Sequence, residues 1–347
     1  MKLSLRFIFF TWFLFGVGGV MGLEDKELEV QRLGVIAVPC VDLVATQVKF
    51  TLEEEPVVQL AATCIPELFG EQQAYRRTQL LFNEPVIILE EKNGWYRVRA
   101  IEQSVIDDQG LRGCHGWIKS KNVRIINKPI VDLNLVVVSK QANVYEKPLT
   151  DSGGDVLPAC MSFSCGTKLR GVVHNLAWCK VQFPDDNHGF VAARDLVSQD
   201  ELKLISIDGL REMIVGQALQ FAHIPYVWGG RSGEGIDCSA LIQLAYVSCG
   251  ITTPRYAHGQ WKACKPRELA QLKQGDLIFL GTLRDDQLVM IHVMLYIGNG
   301  MLIEAHGFLG KVRMVSVHER LGKSLHELKN GDAVLLRRFV YGGSFIE

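Results

Sequence analysis

Cys238 and His292 are the residues on which chemistry could rest. A glycine-rich loop, Tyr226-Val227-Trp228-Gly229-Gly230, is followed by Gly235-Ile236-Asp237-Cys238-Ser239 and then an apolar helical run, so Cys238 is expected at a helix N-terminus. The positive end of a helix dipole favours a thiolate there, and backbone amides at the same place can receive a developing oxyanion. A thiol nucleophile also needs a base. Residues 287–297 read as a strand carrying His292, with Val293, Leu295 and Ile297 on one face and His292, Met294 and Tyr296 on the other. Gly298-Asn299-Gly300 turns this strand into a partner over residues 301–306, where period two puts Glu304 and His306 on one face. The hairpin can therefore deliver a base and an orienting group together, as nucleophilic catalysis by a thiol requires.

Taken singly these signals are weak, because a lone Cys near a helix start is usually packing and a lone strand His is usually structural. Their order carries the weight: glycine loop, helix-start Cys, then a hairpin with His is a papain-like sequence of parts. The elements that must position them begin with a helix from Ile207 to Ala222, spaced by Leu210, Ile214, Ala218, Phe221 and Ala222, which Pro225 is expected to end. Before residue 200 the chain repeats itself. Asn93-Gly94-Trp95-Tyr96-Arg97-Val98 precedes Gly116-Trp117-Ile118, and Ala177-Trp178-Cys179-Lys180-Val181 precedes Gly189-Phe190-Val191. The tryptophans stand 83 residues apart and the glycines 73, so the first copy is ten residues longer between its landmarks. The extra residues are expected in a loop around Asp107-Asp108-Gln109-Gly110. Short Val/Ile-rich runs broken by Asn, Gly and Asp turns suit two small β-barrels.

The 347 residues are 48% hydrophobic and 22% charged, which suggests two or three domains. A formal net charge of -1 leaves no electrostatic footprint for polyanions, so nucleic acid is not expected as a partner. Two cations, an apolar run from Phe7 to Val17 and a small-residue site near Val20 and Gly22 read as a secretory signal, with an uncleaved anchor as the alternative. The run is too short for a stable membrane span, which needs about 20 residues. Of nine cysteines, eight besides Cys238 could pair after export. No second pair or histidine cluster accompanies Cys160 and Cys165 at ligand spacing, so no metal or other cofactor is expected.

Asp237-Cys238-Ser239, Pro254-Arg255 with Gln260, Gly275-Asp276-Leu277-Ile278-Phe279, and His292-Val293 with Tyr296-Ile297-Gly298-Asn299-Gly300 together resemble the NlpC-type cell-wall cysteine peptidases, in correct order over roughly residues 205–340. The two upstream copies resemble bacterial SH3-like domains through Asn143-Val144-Tyr145 and Gly116-Trp117-Ile118. The resemblance implies an α+β architecture: a signal peptide over 1–22, SH3-like barrels over 23–127 and 128–200, and a papain-like catalytic domain over 201–347. It implies hydrolysis of the amide between γ-D-glutamate and a diamino acid, expected to be meso-diaminopimelate, in peptidoglycan stem peptides or muropeptide fragments. The protein would be exported and work in the periplasm or at the cell envelope. Cys238 would be the nucleophile and His292 the base, Tyr226 would help the oxyanion site, and Ser239 would lie among the substrate contacts.

The resemblance places a third polar residue, often a His, twelve positions after the base. That position is Glu304, with His306 two further on as the alternative. Two leading barrels are similar to the subgroup that trims stems with a free N-terminal L-alanine, which implies that Glu84 and Asp237 bind the amine. The sequence departs from this pattern at Cys114-His115, where that subgroup has a tyrosine before Gly-Trp, and at Ala257, where a Ser is frequent. An amidase or acyltransferase on another substrate, and a wall-binding module, are the competing readings.

Overall fold

The computed structural model describes residues 32–47, 76–107, 110–128, 130, 132–149, 159–335 and 338–347. The expected signal peptide and Cys64 lie outside the described residues.

Seven antiparallel strands form the first sheet: β1 (Arg32–Ile36), β2 (Cys40–Val44), β3 (Arg76–Leu81), β4 (Pro85–Lys92), β5 (Trp95–Asp107), β6 (Gly110–Lys119) and β7 (Val123–Ile126). Their order is β3-β2-β6-β5-β4-β1-β7. Asn93 and Gly94 join β4 to β5 with φ of 51° and 75°, the paired left-handed residues of a two-residue hairpin whose twist matches its strands. The second sheet comprises β8 (Leu135–Val137), β9 (Gln141–Tyr145), β10 (Met161–Ser164), β11 (Lys168–Val173), β12 (Trp178–Gln182), β13 (His188–Ala192) and β14 (Leu196–Ser198). Its order, β10-β9-β13-β12-β11-β8-β14, is that of the first sheet offset by seven. The sequence repeat is thus a repeat of topology, and both landmark tryptophans open the equivalent strand.

The ten extra residues of the first copy do not form the loop expected at 107–110. They lengthen the hairpin itself: β5 has 13 residues and β6 ten, against five each in β12 and β13. The far arm of this hairpin reaches the last third of the chain, where Ser104 O accepts the Arg255 N–H at 2.8 Å.

That last third starts with α1 (Gln199–Lys203), closed by a Ser198/Glu201 capping box, and α2 (Ile207–Leu219), capped by Ser206. α2 stops well before Pro225. Gln220 instead turns to the second sheet, donating to Val138 O at 2.9 Å and accepting from Lys140 N at 2.8 Å, and His223 adopts φ 69°. A two-stranded ribbon, β15 (Arg231–Ser232) and β16 (Gly235–Ile236), leads to α3 (Cys238–Val247), which is buried along its whole length, and α4 (Ala257–Ala263) follows. The third sheet holds β17 (Lys265–Arg267), β18 (Leu277–Arg284), β19 (Gln287–Gly298), β20 (Met301–His306), β21 (Lys311–Ser316), β22 (Ala333–Val334) and β23 (Arg338–Ser344). The main order is β17-β23-β18-β19-β20-β21. Helix α5 (Val317–Leu321) follows β21. Val293, Leu295 and Ile303 bury one face of the sheet against α2 and α3, while Met294 and Leu302 pack on the other with Leu321. The alternation expected for residues 293–297 is therefore present.

Buried charge, not an apolar seam alone, joins the first sheet to this last third. Arg231 donates its backbone N–H to Gln79 (2.7 Å), Nη1 to Glu84 (2.5 Å) and Nε to Gln243 on α3 (2.6 Å). Gln103 on β5 donates to the other Glu84 oxygen at 2.8 Å, so this buried carboxylate is neutralised by Arg231 and hydrogen-bonded by Gln103. Among the described cysteines, Cys40, Cys114, Cys160, Cys165, Cys179, Cys238, Cys249 and Cys264 are all unpaired thiols, so the pairing considered from their number is not found there. Among the described residues, no helix is long and apolar enough to cross a membrane.

Removing one partner of a buried ion pair strands the other, at a cost of about 3–5 kcal/mol. Glu84→Gln is therefore expected to lower stability by roughly 3 kcal/mol, read from the urea dependence of unfolding. A loss under about 1 kcal/mol, the size of a surface pair, would show that this joint is not held by charge.

Candidate active site

Asp237 is the N-cap of α3, and its Oδ1 accepts the Ala240 N–H at 2.8 Å. An Asp in this position satisfies amides that a helix start leaves unpaired, and it sets Cys238 as the first helical residue. The same carboxylate takes Arg255 through Nη1 to Oδ1 (3.0 Å) and Nη2 to Oδ2 (2.7 Å). It also accepts the Ser239 hydroxyl (3.0 Å) and the Gly229 N–H (3.1 Å). Arg255 is wholly buried and donates Nε to Thr78 of β3 at 2.6 Å, so the first sheet reaches to within one residue of the thiol.

His292 stands on β19 where the register shifts: Leu280 faces His292 and Gly281 faces Met290, leaving Ile291 as an extra residue. Such bulges re-aim a side chain. β19 and β20 pair from Leu295↔Ile303 to Gly298↔Met301, and His292 and Glu304 lie beyond that pairing. There the His292 Nε2 meets Glu304 Oε2 at 2.7 Å, and the ring is also hydrogen-bonded to the Cys238 thiol, which leaves Nδ1 as the nitrogen facing sulfur. Burial by itself disfavours an imidazolium here, but a charged Cys238 and the Glu304 carboxylate outweigh it and raise the His292 pKa to about 9.

Glu304 is fully buried, yet it is held well below the usual carboxylate range. Burial opposes this, and His292, Arg320 and His306 more than offset the cost. Its Oε1 accepts Arg313 through Nε (3.0 Å) and Nη2 (2.9 Å), and Arg320 Nε lies 3.0 Å from both oxygens. His306 does not occupy the orienting place. Its ring centroid is 6.4 Å from that of His292, and its Nδ1 accepts the Leu309 N–H at 3.2 Å. Burial pushes the His306 pKa down to about 4, with nearby cations adding to this against the pull of Glu304. Of the two candidates left open by the sequence, Glu304 is the one in contact with His292.

The remaining sequence candidates have these places. Tyr226 is buried in the core cluster that includes Cys238, with its N–H on Gly310 O at 2.8 Å and a bridge to Ile236. Ser239 is buried, and its hydroxyl lies within the Asp237–Arg255 network, accepting from Arg255 at 3.0 Å. Glu84 and Asp237, expected to bind an amine, are each paired with an arginine, Arg231 and Arg255, because two dehydrated carboxylates so placed need counter-charge inside the protein. Where the sequence departs from the subgroup's tyrosine before Gly-Trp, the buried Cys114 sulfur lies 3.5 Å from the hydroxyl of Tyr256, a residue that follows Arg255. Arg231, Arg313 and Arg320 had no local signal in the sequence, since a basic residue on a short strand or helix is ordinarily a solvated one.

The profile of the NlpC/P60 family matches residues 223–324, the stretch that holds Cys238, His292 and Glu304. The chain is 30% identical over 234 residues to the gamma-D-glutamyl-L-lysine dipeptidyl-peptidase of Bacillus subtilis (strain 168), covering 66% of this chain and 72% of that protein. It is 26% identical over 252 residues to dipeptidyl-peptidase 6 of Lysinibacillus sphaericus, covering 70% and 84% respectively. A crystal structure of an NlpC/P60 family protein from Bacillus cereus ATCC 10987 has the same fold, with a TM-score of 0.68 at 19% identity over 91% of this chain and 100% of that one. With a relative of 30% identity covered over 72% of its length, and the family profile matching the Cys/His stretch, the chain belongs to the NlpC/P60 family and is a peptidase of that family.

Proposed function

We propose that this protein is a cysteine endopeptidase that hydrolyses the amide between γ-D-glutamate and a diamino acid in peptidoglycan stem peptides. The observation that carries this is His292 bridging the Cys238 thiol, at the start of α3, and the Glu304 carboxylate. The relatives named gamma-D-glutamyl-L-lysine dipeptidyl-peptidase support the bond that is cut. Lysine and meso-diaminopimelate are both diamino acids, and both belong in the assay.

Cys238 as thiolate attacks the carbonyl carbon of the γ-amide, and the oxygen becomes an oxyanion near the first amides of α3. The C–N bond then breaks as the His292 imidazolium gives its Nδ1 proton to the leaving amine, which leaves a thioester. Water attacks the thioester while neutral His292 takes its proton, and the thiolate departs with the imidazolium restored. Glu304 orients the ring throughout.

The two upstream sheets, with one strand order in common, are read as the SH3-like domains over 23–127 and 128–200, and residues 201–347 as the catalytic domain. The leading residues fit export to the cell envelope. Glu84 and Asp237 are held by arginines, so recognition of a free L-alanine amine is not part of this reading.

Cys238→Ala is expected to abolish release of the diamino acid from L-alanyl-γ-D-glutamyl-diamino acid peptides, followed by mass spectrometry, with the melting temperature preserved. His292→Ala should cost about 100 to 10,000-fold in kcat/KM. Turnover near wild type in either variant would overturn the assignment.

Since the departing amine needs a protonated His292, kcat/KM should fall as pH rises through about 9, where the imidazolium is lost. Glu304→Gln withdraws the negative partner, so its alkaline limb should lie at lower pH. An unmoved limb would remove Glu304 from the mechanism.

Acetylating the L-alanine amine tests the substrate end. A free carboxylate clasping that amine would be worth about tenfold or more, and acetylation should here reduce kcat/KM by less than that. A steep drop would restore an amine clamp.

A further inference from the structure

Glu304 presents its two oxygens unequally. Three N–H donors converge on Oε1, two from Arg313 on β21 and one from Arg320 on α5, whereas Oε2 has His292 Nε2 at 2.7 Å and shares the Arg320 Nε. Rotating the carboxylate would break the Oε1 contacts, so one oxygen is left aimed at the imidazole. The charges are equally particular. His292 is faced by Cys238 from α3, by Glu304 and His306 from β20, and across Glu304 by Arg313 and Arg320, while Glu319 lies 3.9 Å from the outer side of Arg313. A dehydrated carboxylate with imidazolium as sole partner would hold its proton so firmly that the acid step, release to a leaving amine, would suffer. Two guanidiniums spread that attraction.

We propose that Arg313 and Arg320 are positioning residues of this site: they lock Glu304 in the orientation that presents Oε2 to His292, and they offset its charge so that the imidazolium can surrender its proton. This rests on the reading of Cys238 and His292 as the catalytic pair, and it explains how a carboxylate can stand where a neutral orienting group would serve. The two roles are separable, because a lysine keeps the charge and loses the planar, two-oxygen contact.

The test titrates the His292 ring by NMR in the full ¹⁵N-histidine-labelled chain, alongside kcat against pH on L-alanyl-γ-D-glutamyl-L-lysine and on its meso-diaminopimelate counterpart. Arg320→Gln should raise the His292 midpoint by about one unit and lower kcat about tenfold. Arg320→Lys should leave the midpoint near wild type and still lower kcat. In a Glu304→Gln background, Arg320→Gln should move the midpoint less. If Arg320→Gln loses its near-ultraviolet circular dichroism, Arg313→Gln carries the same expectation. An unmoved midpoint in folded Arg320→Gln and Arg313→Gln overturns the proposal, even with reduced kcat, since that is a structural effect alone. The titration needs no turnover, so wild-type failure to cut either peptide would count against the proposed function and leave this result to stand or fall by itself.

Discussion

The site depends first on one dehydrated carboxylate. Asp237 accepts hydrogen bonds from the Ala240 and Gly229 amides, the Ser239 hydroxyl and both ends of the Arg255 guanidinium. These contacts fix the glycine loop, the start of α3 and the Pro254-Arg255 segment to one another, and Cys238 is the next residue along the chain. A buried carboxylate without such donors would carry a large desolvation penalty. With them it is an anchor, and the sulfur inherits its position.

The anchor extends beyond the last third of the chain. Arg255 continues to Thr78, Thr78 to Gln103 at 2.6 Å, Gln103 to Glu84, and Glu84 to Arg231, which returns to Gln243 on the nucleophile's helix. This is a continuous path of polar side chains from Arg255 through the first sheet to α3, and Gln243 ends it by donating to Thr253 O at 3.0 Å. In a low-dielectric setting a satisfied network of this kind specifies one arrangement, whereas a broken one is costly. The long β5/β6 hairpin makes the path possible by carrying Gln103 to Thr78 and Glu84 and Ser104 to Arg255. The first sheet is accordingly part of the framework of the Cys/His site and not a detachable appendage.

A second buried carboxylate reaches the sulfur through His292 and is managed differently. Asp237 is balanced by one bidentate arginine and local amides. Glu304 has no amides and is balanced by Arg313, Arg320 and the His292 ring. One carboxylate fixes a helix terminus and the other aims a base, and the difference follows from what surrounds each: helix-start N–H groups in the first case, side chains from a neighbouring strand and helix in the second.

Much of this could be read along the chain. The helix start at Cys238, the strand and turn around His292, and the doubled β-pattern upstream are local matters of capping, period-two alternation and left-handed turn residues, and those signals act over a few residues. Glu304 came first over His306 because it stands twelve residues after His292, the spacing that the family resemblance implies. Other features were out of reach. Ten extra residues between Trp95 and Gly116 looked like a loop, since nothing nearby says that α4 and Arg255 lie across from the hairpin and give its strands something to pair with. Glu84 and Asp237 were read as contacts for a ligand amine, and a sequence does not show that Arg231, 147 residues away, or Arg255 meets them within the fold. Arg313 and Arg320 looked like surface charge. Local conformation is settled by neighbours in sequence, but the charge state and occupancy of a buried group are settled by whatever the fold brings to within hydrogen-bond distance, and that is decided only when the sheets come together.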